Sequence, residues 1–319
     1  MPTASRRAPA ALHPLPVLDS RITEHRNPRS AEIDLASPLE IVEIINAEDR
    51  TVADAVATQK AQLVRAIELV EAAFRAGGRL VYAGAGTSGR LGVLDAAECP
   101  PTFGVPFDLV VGLIAGGPPA LLRAQEGAED SPETGARDVD ALSVGATDVL
   151  VGIAASGTTP YVHGALARAR ARGAKTVVVA CTPPPRHVVD GADVAIVAVT
   201  GPEVVTGSTR MKAGTATKLI LNTISTGAMI RIGKTYGNLM VDLRATNDKL
   251  RDRSERILME VCGVERAAAK TLLTAAGGSV KLAIVMNALG ADRAGAEAAL
   301  ARGGGVIRRV VPGAPPPVR

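Results

Sequence analysis

Aromatic side chains are scarce in this chain: its 319 residues include no Trp, three Tyr and three Phe. Proteins that bind single-stranded nucleic acid stack the bases on such rings, so this class is disfavoured. The formal net charge of +4 does not restore it, because the positive excess lies in the tails. Residues 1–30 carry a net +3 and residues 302–319 a net +4, which leaves the rest of the chain at −3. We therefore predict no nucleic-acid partner.

Cysteine and histidine are also few, and they are scattered. None has the close spacing of a zinc site, a redox motif or a disulfide framework, so we expect no metal and no disulfide. They are Cys99, Cys181, Cys262, His13, His25, His163 and His187. No apolar run approaches the roughly 18 residues of a membrane helix, and no apolar core of a signal peptide follows Met1. The expectation is a reduced, cytoplasmic protein without membrane contact.

Short apolar runs recur in the middle of the chain, and most are followed by a helical pattern. Parallel strands that are buried on both faces have this character. Their alternation with helices predicts an α/β fold, a doubly wound parallel sheet that binds ligands at the carboxyl ends of its strands. The predicted strands are residues 80–83, 109–114, 148–152, 176–180 and 194–198.

The segments that flank the sheet differ in composition. Pro and Ala without periodicity predict disorder at the N-terminus, and short helical pieces separated by glycines predict a three-helix module near the C-terminus. The predicted divisions are a tail (1–20), an N-terminal arm with helices (21–76), the sheet domain (77–258), the helical module (259–311) and a second tail (312–319). Ser37 before Pro38 predicts a helix start. The other predicted helices are residues 51–76, 212–231, 240–258, 264–275, 280–289 and 292–301.

Residues 84–89 (GAGTSG) join the first strand to a helix that we expect Pro100 and Pro101 to end. A strand, a turn of small residues and a helix start place free N–H groups and the positive helix end around an anion. Thr87 and Ser88 add hydroxyl donors to this turn. The glycines also match the dinucleotide fingerprint G-x-G-x-x-G, but the acid expected at the end of the next strand is missing. The turn therefore predicts a phosphate site.

A second turn repeats the first. Residues 84–89 and 152–157 both read G-x-x-x-S-G after an apolar strand, with Ser88 and Ser156 in the same place. A single such turn would be explained by tight turn geometry alone, but two matched turns favour one shared phosphate. Residues 206–215 begin a long helix and are rich in donors, so Ser208 and Lys212 either complete this site or belong to an ordinary helix start.

Two acidic positions are candidates for acid–base chemistry, and no Ser-His-Asp pattern is legible. Glu98 lies in the small, apolar stretch 93–101, where a buried carboxyl would keep its proton near neutral pH and donate it. The alternative is an exposed Glu in a last helical turn. Residues 126–130 (EGAED) have, from composition alone, the character of a solvated acidic turn.

These motifs together resemble the N-acetylmuramic acid 6-phosphate etherase family. The resemblance runs from about Thr23 to Arg309 and is carried by residues 84–95, 98–104, 111–117, 126–130, 152–161, 207–214 and 237–242. It implies a SIS (sugar isomerase) phosphosugar-binding domain with a small helical C-terminal module, acting as a homodimer without metal or cofactor. It also implies conversion of N-acetylmuramate 6-phosphate and water to N-acetylglucosamine 6-phosphate and D-lactate, in cell-wall sugar recycling.

The resemblance also implies residue roles. Glu129 would remove the C2 proton of the open-chain sugar, and Glu98 would protonate the departing lactate oxygen and later help to activate water. The predicted substrate contacts are Thr87, Ser88, Gly89, Ser156, Gly157, Thr158, Thr159, Ser208 and Lys212. Two alternatives remain: an aldose–ketose phosphosugar isomerase, and a non-catalytic sugar-phosphate sensor such as the glucokinase regulatory protein.

The position of Glu98 raises a geometric problem. A straight helix would place it roughly 14 Å from Gly89 along the axis, too far to serve a hexose whose phosphate lies at the turn. Either the helix breaks early, or Glu98 serves a site in a second subunit. We expect the site to lie at or near a subunit interface.

Overall fold

Five parallel strands form the central sheet of the computed structural model, which describes residues 21–243, 248–311 and 313. The strands run in the order β2-β1-β3-β4-β5, and each lies within a residue or two of its predicted position. They are β1 (Leu80–Gly84), β2 (Val110–Ile114), β3 (Val149–Ile153), β4 (Lys175–Ala180) and β5 (Val194–Val197). The predicted doubly wound parallel sheet is confirmed.

Helices precede, connect and follow the strands. They are α1 (Pro38–Ala57), α2 (Lys60–Arg75), α3 (Gly86–Phe103), α4 (Pro119–Leu122), α5 (Pro132–Ala141), α6 (Pro160–Ala171), α7 (Arg186–Asp190), α8 (Lys212–Arg231), α9 (Asp248–Cys262), α10 (Arg266–Ala275), α11 (Val280–Leu289) and α12 (Arg293–Arg302). In addition, single 3-10 turns lie at Ile22–Glu24, Pro28–Ser30, Ile33–Leu35, Ala128–Asp130 and Ile307–Arg309.

The alternation of side chains along β1 divides the core into two layers. Leu80 and Tyr82 pack with α2, α3 and α8 on one face of the sheet. Val81 and Ala83 pack with α5 and α6 on the other face. Helix α3 follows β1 and packs on one face of the sheet. Helix α6 follows β3, the neighbour of β1, and packs on the other face. Their carboxyl ends therefore flank the switch point at which such sheets bind ligands.

Helix α1 begins as predicted but ends later. The Ser37 side chain accepts a hydrogen bond from the Glu40 N–H, and the Glu40 carboxylate accepts one from the Ser37 N–H. The helix then continues to Ala57, so the predicted start of a new helix at residue 51 is wrong. The break falls at residues 58–59 instead, where Gln59 turns to accept a hydrogen bond from the Val197 N–H at the edge of β5.

The prediction that Pro100 ends α3 is also wrong, because the helix continues to Phe103. A proline within a helix leaves the carbonyl four residues earlier without its partner. Here that loss falls within the last turn, where Phe103 is buried and Gly104 adopts a left-handed conformation at φ 64°. The Gly104 N–H donates to the Pro100 carbonyl at 2.9 Å and closes the helix.

A separate hydrophobic cluster joins the C-terminal helices α9 to α12. It begins earlier in the chain than the predicted boundary between residues 258 and 259, because Tyr236 and Val241 belong to it and the boundary would cut α9. The predicted helix 240–258 also starts too early, since Thr235–Tyr236 and Leu239–Met240 form a short antiparallel hairpin. The three predicted helices of the module correspond to α10, α11 and α12.

Some predictions fall on residues outside this description. The predicted tail 1–20 and nearly all of the tail 312–319 lie there. Among the described residues no single helix has the length and apolar character needed to cross a membrane; α10 and α11 reach that length and composition only as a pair bent by 102°.

Candidate active site

The first predicted phosphate turn is largely the first turn of α3. The helix begins at Gly86, directly after Ala85, whose methyl group cannot cap it. The N–H groups of Gly86, Thr87 and Ser88 therefore lack partners within the helix and are available to an anion. Thr87 and Ser88 are half-buried, so their hydroxyl groups can also be reached.

Close backbone approach explains why this turn contains small residues. A Cβ at Gly89 would lie 2.6 Å from Ile114 Cγ1 and 2.7 Å from the Gly84 carbonyl oxygen. The helix thus starts in direct contact with the ends of β1 and β2. Gly86, by contrast, has φ 51° and open space beside it.

That open space is a cavity of about 210 Å³. Ala85, Gly86 and Arg90 form one wall, and residues 124–129 form the opposite wall, with Glu129 among them. Glu129 is exposed and lies in a 3-10 turn. The structure therefore brings Glu129 to the first phosphate turn, although composition alone favoured a solvated acidic turn. Arg90 closes one side by donating from Nε to the Leu121 carbonyl at 3.1 Å.

The second turn lies beside the first, since β1 and β3 pair with Gly84 opposite Ile153. The Ser156 and Thr158 hydroxyl groups are 3.0 Å apart, and Thr159 stands at the N-terminus of α6. Gly157 has φ 73°, and a Cβ there would lie 2.7 Å from Pro184 Cα. The proline-rich segment after β4, residues 183–185, therefore packs directly on this turn.

Residues 206–215, the donor-rich segment at the start of α8, divide into two parts that lie in different surroundings. The Lys212 side chain is buried and its Nζ lies 2.5 Å from Glu48 Oε2. The N–H groups of Lys212 and Ala213 donate to the Glu203 carboxylate at 3.0 and 2.9 Å. This helix start is thus neutralised by the protein itself. The predicted contact of Lys212 with substrate is not supported by its position.

The preceding residues do approach the first turn. A Cβ at Gly214 would lie 3.5 Å from the Thr209 carbonyl oxygen and 3.6 Å from Thr87 Cγ2. Ser208 is half-buried next to Thr209. Ser208 therefore remains a candidate contact, whereas Lys212 serves the fold.

Glu98 is a second predicted site residue that the structure leaves apart from the cavity. Helix α3 is continuous from Gly86 to Phe103, so the suggestion that it breaks early is wrong. Glu98 is exposed, and within the described chain it is not among the residues that line the cavity at Glu129. The apolar neighbours of Glu98 do not bury it, because Leu94 and Ala97, on the same side of α3, are themselves exposed.

Most of this chain is closely similar to known proteins. Residues 62–170 match the family model described as the glucokinase regulatory protein N-terminal SIS domain. The N-acetylmuramic acid 6-phosphate etherase of Aeromonas hydrophila is 58% identical over 269 residues, which cover 84% of this chain and 90% of that protein. The etherase of Mycolicibacterium smegmatis is 56% identical over 264 residues, 83% of this chain and 88% of that protein. This chain belongs to the N-acetylmuramic acid 6-phosphate etherase family.

Similarity to solved structures is more distant. The phosphoheptose isomerase of Neisseria gonorrhoeae has 21% sequence identity and a TM-score of 0.45, over 60% of this chain and 98% of that one.

A buried polar network that sequence reasoning missed holds α3 in this member of the etherase family. Asp95 is buried and accepts hydrogen bonds from Tyr82 at 2.7 Å, Asn222 at 2.6 Å and Ser225 at 3.1 Å. Burial and the adjacent Asp95 carboxylate raise the pKa of Tyr82 well above its usual value. The network ties α3 to β1 and α8. The signal in the sequence was an acid in an otherwise apolar helix, three positions before Glu98.

The N-terminal arm of this etherase family member also reaches the carboxyl edge of the sheet. Asn27 Nδ2 donates to the Pro202 carbonyl at 3.3 Å, and Ser30 Oγ donates to the Val204 carbonyl at 2.7 Å. The Thr23 carbonyl accepts from the Gly207 N–H at 3.2 Å. The arm therefore fixes the segment that leads to Ser208.

Proposed function

We propose that this chain cleaves the D-lactyl ether of N-acetylmuramate 6-phosphate and releases N-acetylglucosamine 6-phosphate and D-lactate. The observation that carries the proposal is the shared cavity of Glu129 and the first turn of α3. One wall presents donors suited to a phosphate, and the other presents a carboxylate suited to remove a proton. An enzyme that acts on a sugar phosphate next to a carbonyl needs both.

The phosphate binds the two turns, with donors from Thr87, Ser88, Ser156 and Thr158 and from the backbone. This anchoring holds the open-chain sugar in the crevice at the switch point, so that its C2 carbon faces Glu129. The aldehyde at C1 makes the C2 proton acidic, and Glu129 removes it as general base.

The electron pair of the C2–H bond then forms a C2=C3 double bond, and the C3–O bond to lactate breaks. Glu98 gives its proton to the departing oxygen, so lactate leaves as a neutral alcohol. Water next adds across the double bond: its hydroxyl goes to C3, and Glu129 returns to C2 the proton that it removed. Glu98, now ionised, assists by accepting the proton of that water.

Helix α3 is continuous, so Glu98 lies roughly 14 Å along its axis from Gly89 and cannot reach the cavity of its own subunit. We propose that Glu98 enters the cavity of a second copy of the chain. Leu94 is 51% exposed beside it, and Leu39 and Val42 of α1 are exposed as well. Burial of exposed apolar side chains favours association of subunits. A symmetric homodimer that buries them would exchange α3 between the sites.

The experiment is to measure release of D-lactate from N-acetylmuramate 6-phosphate by the wild type, Glu98→Gln and Glu129→Gln. The wild type should release lactate, and each isosteric variant should lose at least about 100-fold in kcat, the usual contribution of a general acid or base. The matched control is Asp130→Asn, in the same acidic turn but outside the residues that line the cavity, and it should stay active.

The match to the glucokinase regulatory protein domain favours one second candidate, a sensor that binds sugar phosphates without turnover. A folded wild type that binds N-acetylglucosamine 6-phosphate and releases no lactate would establish the sensor and reject the etherase.

A further inference from the structure

His163 contacts the second phosphate turn from beneath. It lies in α6, and its Nε2 is 2.9 Å from the Gly157 carbonyl oxygen. A carbonyl oxygen only accepts hydrogen bonds, so Nε2 must carry the proton. The histidine thus donates to the backbone of the turn whose hydroxyl groups, on Ser156 and Thr158, were predicted to bind phosphate. No local pattern indicates this contact, since His163 lies outside the G-x-x-x-S-G motif.

We infer that His163 is a positioning residue that sets the orientation of the Gly157–Thr158 peptide for phosphate binding. In a trans peptide the C=O and N–H bonds point in opposite directions, and none of the described peptide bonds is cis. With its oxygen held by His163, this peptide directs the Thr158 N–H away from the histidine. That N–H has only a long contact of 3.4 Å with Ser156 Oγ. It is therefore available for a stronger acceptor.

The Gly157–Thr158 peptide needs such a constraint because glycine allows its own backbone angles more freedom than other residues do. Gly157, at φ 73°, therefore does little by itself to hold the plane of this peptide. Rotation of this peptide would turn the Thr158 N–H away from an anion bound at the turn. Pro184 packs on Gly157 and limits movement of its Cα atom. Proline has no N–H group, so Pro184 cannot donate a hydrogen bond that fixes the peptide plane.

Other groups near His163 do not replace it. The His187 ring meets it edge to face at 5.9 Å between ring centroids. Arg170, on the same helix, donates to the Gly191 carbonyl at 2.5 Å. Both line a cavity of about 180 Å³ with His163, away from the turn. Because Nε2 keeps its proton in both the neutral and the cationic ring, the orientation effect should not depend on protonation of His163.

The inference rests on the proposed phosphate site, and the experiment separates the two. Binding of N-acetylglucosamine 6-phosphate and of inorganic phosphate is measured by calorimetry for the wild type, His163→Leu, His163→Gln, His163→Asn and His187→Leu. KM and kcat for lactate release are measured in parallel. His163→Leu should weaken binding of both probes and raise KM by about tenfold, the loss of one well-placed hydrogen bond, with kcat nearly unchanged.

The amide variants decide between positioning and packing. Gln is long enough to donate to the Gly157 carbonyl and should bind like the wild type, whereas the shorter Asn should bind like Leu. His187→Leu, which removes a neighbour of His163 but no contact with the turn, should behave as wild type. If the Leu variant does not fold, the Gln and Asn pair still provides the test.

Wild-type affinity in His163→Asn or His163→Leu would overturn the inference. A wild type that binds neither probe would instead reject the proposed phosphate site. If His163→Leu lowered kcat but left KM and probe binding unchanged, the inference would also be overturned, because His163 would then act in a step after binding.

Discussion

Lys212 Nζ lies 2.5 Å from Glu48 Oε2 and joins α8 to α1 across 164 residues of sequence, with both side chains buried. Glu48 also forms an ion pair with Arg29 of the N-terminal arm, with 2.6 Å between Nε and Oε1. Three elements therefore meet at one carboxylate. Removal of a single partner from a buried ion pair leaves an uncompensated charge in the protein interior.

Lys212→Met should consequently lower the free energy of unfolding by roughly 3–5 kcal/mol. Lys218→Met, on the exposed side of the same helix, is the matched control and should stay within about 0.5 kcal/mol of the wild type. Urea unfolding measures both, and the double variant Glu48→Gln, Lys212→Met should recover part of the loss. If Lys212→Met were as stable as the wild type and only raised KM, the lysine would contact substrate after all.

Local sequence patterns predicted the sheet and the two turns because their causes are local. An apolar run followed by G-x-x-x-S-G encodes a buried strand, a tight turn and a helix start without reference to the rest of the chain. The role of Lys212 could not be read in this way, since its partner lies in another helix and Glu203 caps the helix from outside. The same holds for His163, whose acceptor is a backbone carbonyl that no residue type reveals.

Errors in helix ends have a comparable origin. Pro100 normally ends a helix, but burial of Phe103 and the left-handed Gly104 favour one further turn. These gains come from packing and are not visible in the local pattern. The local pattern left burial and exposure of Glu98 both open, because an apolar stretch is typical of a subunit interface as well as of the core of one chain.

Gly89 and Gly86 should respond differently to alanine. A methyl at Gly89 would meet the Gly84 carbonyl oxygen at 2.7 Å, so backbone atoms must move and the turn should be displaced. Gly86 has free space, and Gly86→Ala should cost only about 1–2 kcal/mol from its positive φ. We expect Gly89→Ala to lose more stability than Gly86→Ala in thermal unfolding, and both to raise KM. The reverse order of stability would contradict the contact between β1 and α3.

Alkaline pH should destabilise the fold through buried tyrosines. Burial, with Asp95 and Asp138 nearby, raises the pKa of Tyr82 and of Tyr161 above the usual value. The unfolded chain loses these protons near pH 10 while the native chain keeps them. Stability is thus retained below about pH 10 and falls as the pH rises above it.

Tyrosinate absorbance during alkaline titration tests this directly. Ionisation of Tyr82 should coincide with unfolding rather than precede it, and Tyr82→Phe should reduce the loss of stability above that pH. Reversible ionisation of all three tyrosines in the native protein would contradict the buried network.

Release of D-lactate by mixed subunits tests whether Glu98 and Glu129 of different subunits form one site. Glu98→Gln and Glu129→Gln proteins are each assayed alone, and then after they are dissociated and reassociated together. If each site combines Glu129 of one subunit with Glu98 of its partner, a hybrid dimer regains one intact site. Random mixing should then restore about a quarter of the wild-type activity. Hybrid dimers that form and yet release no lactate, beside an active wild type, would contradict the shared site.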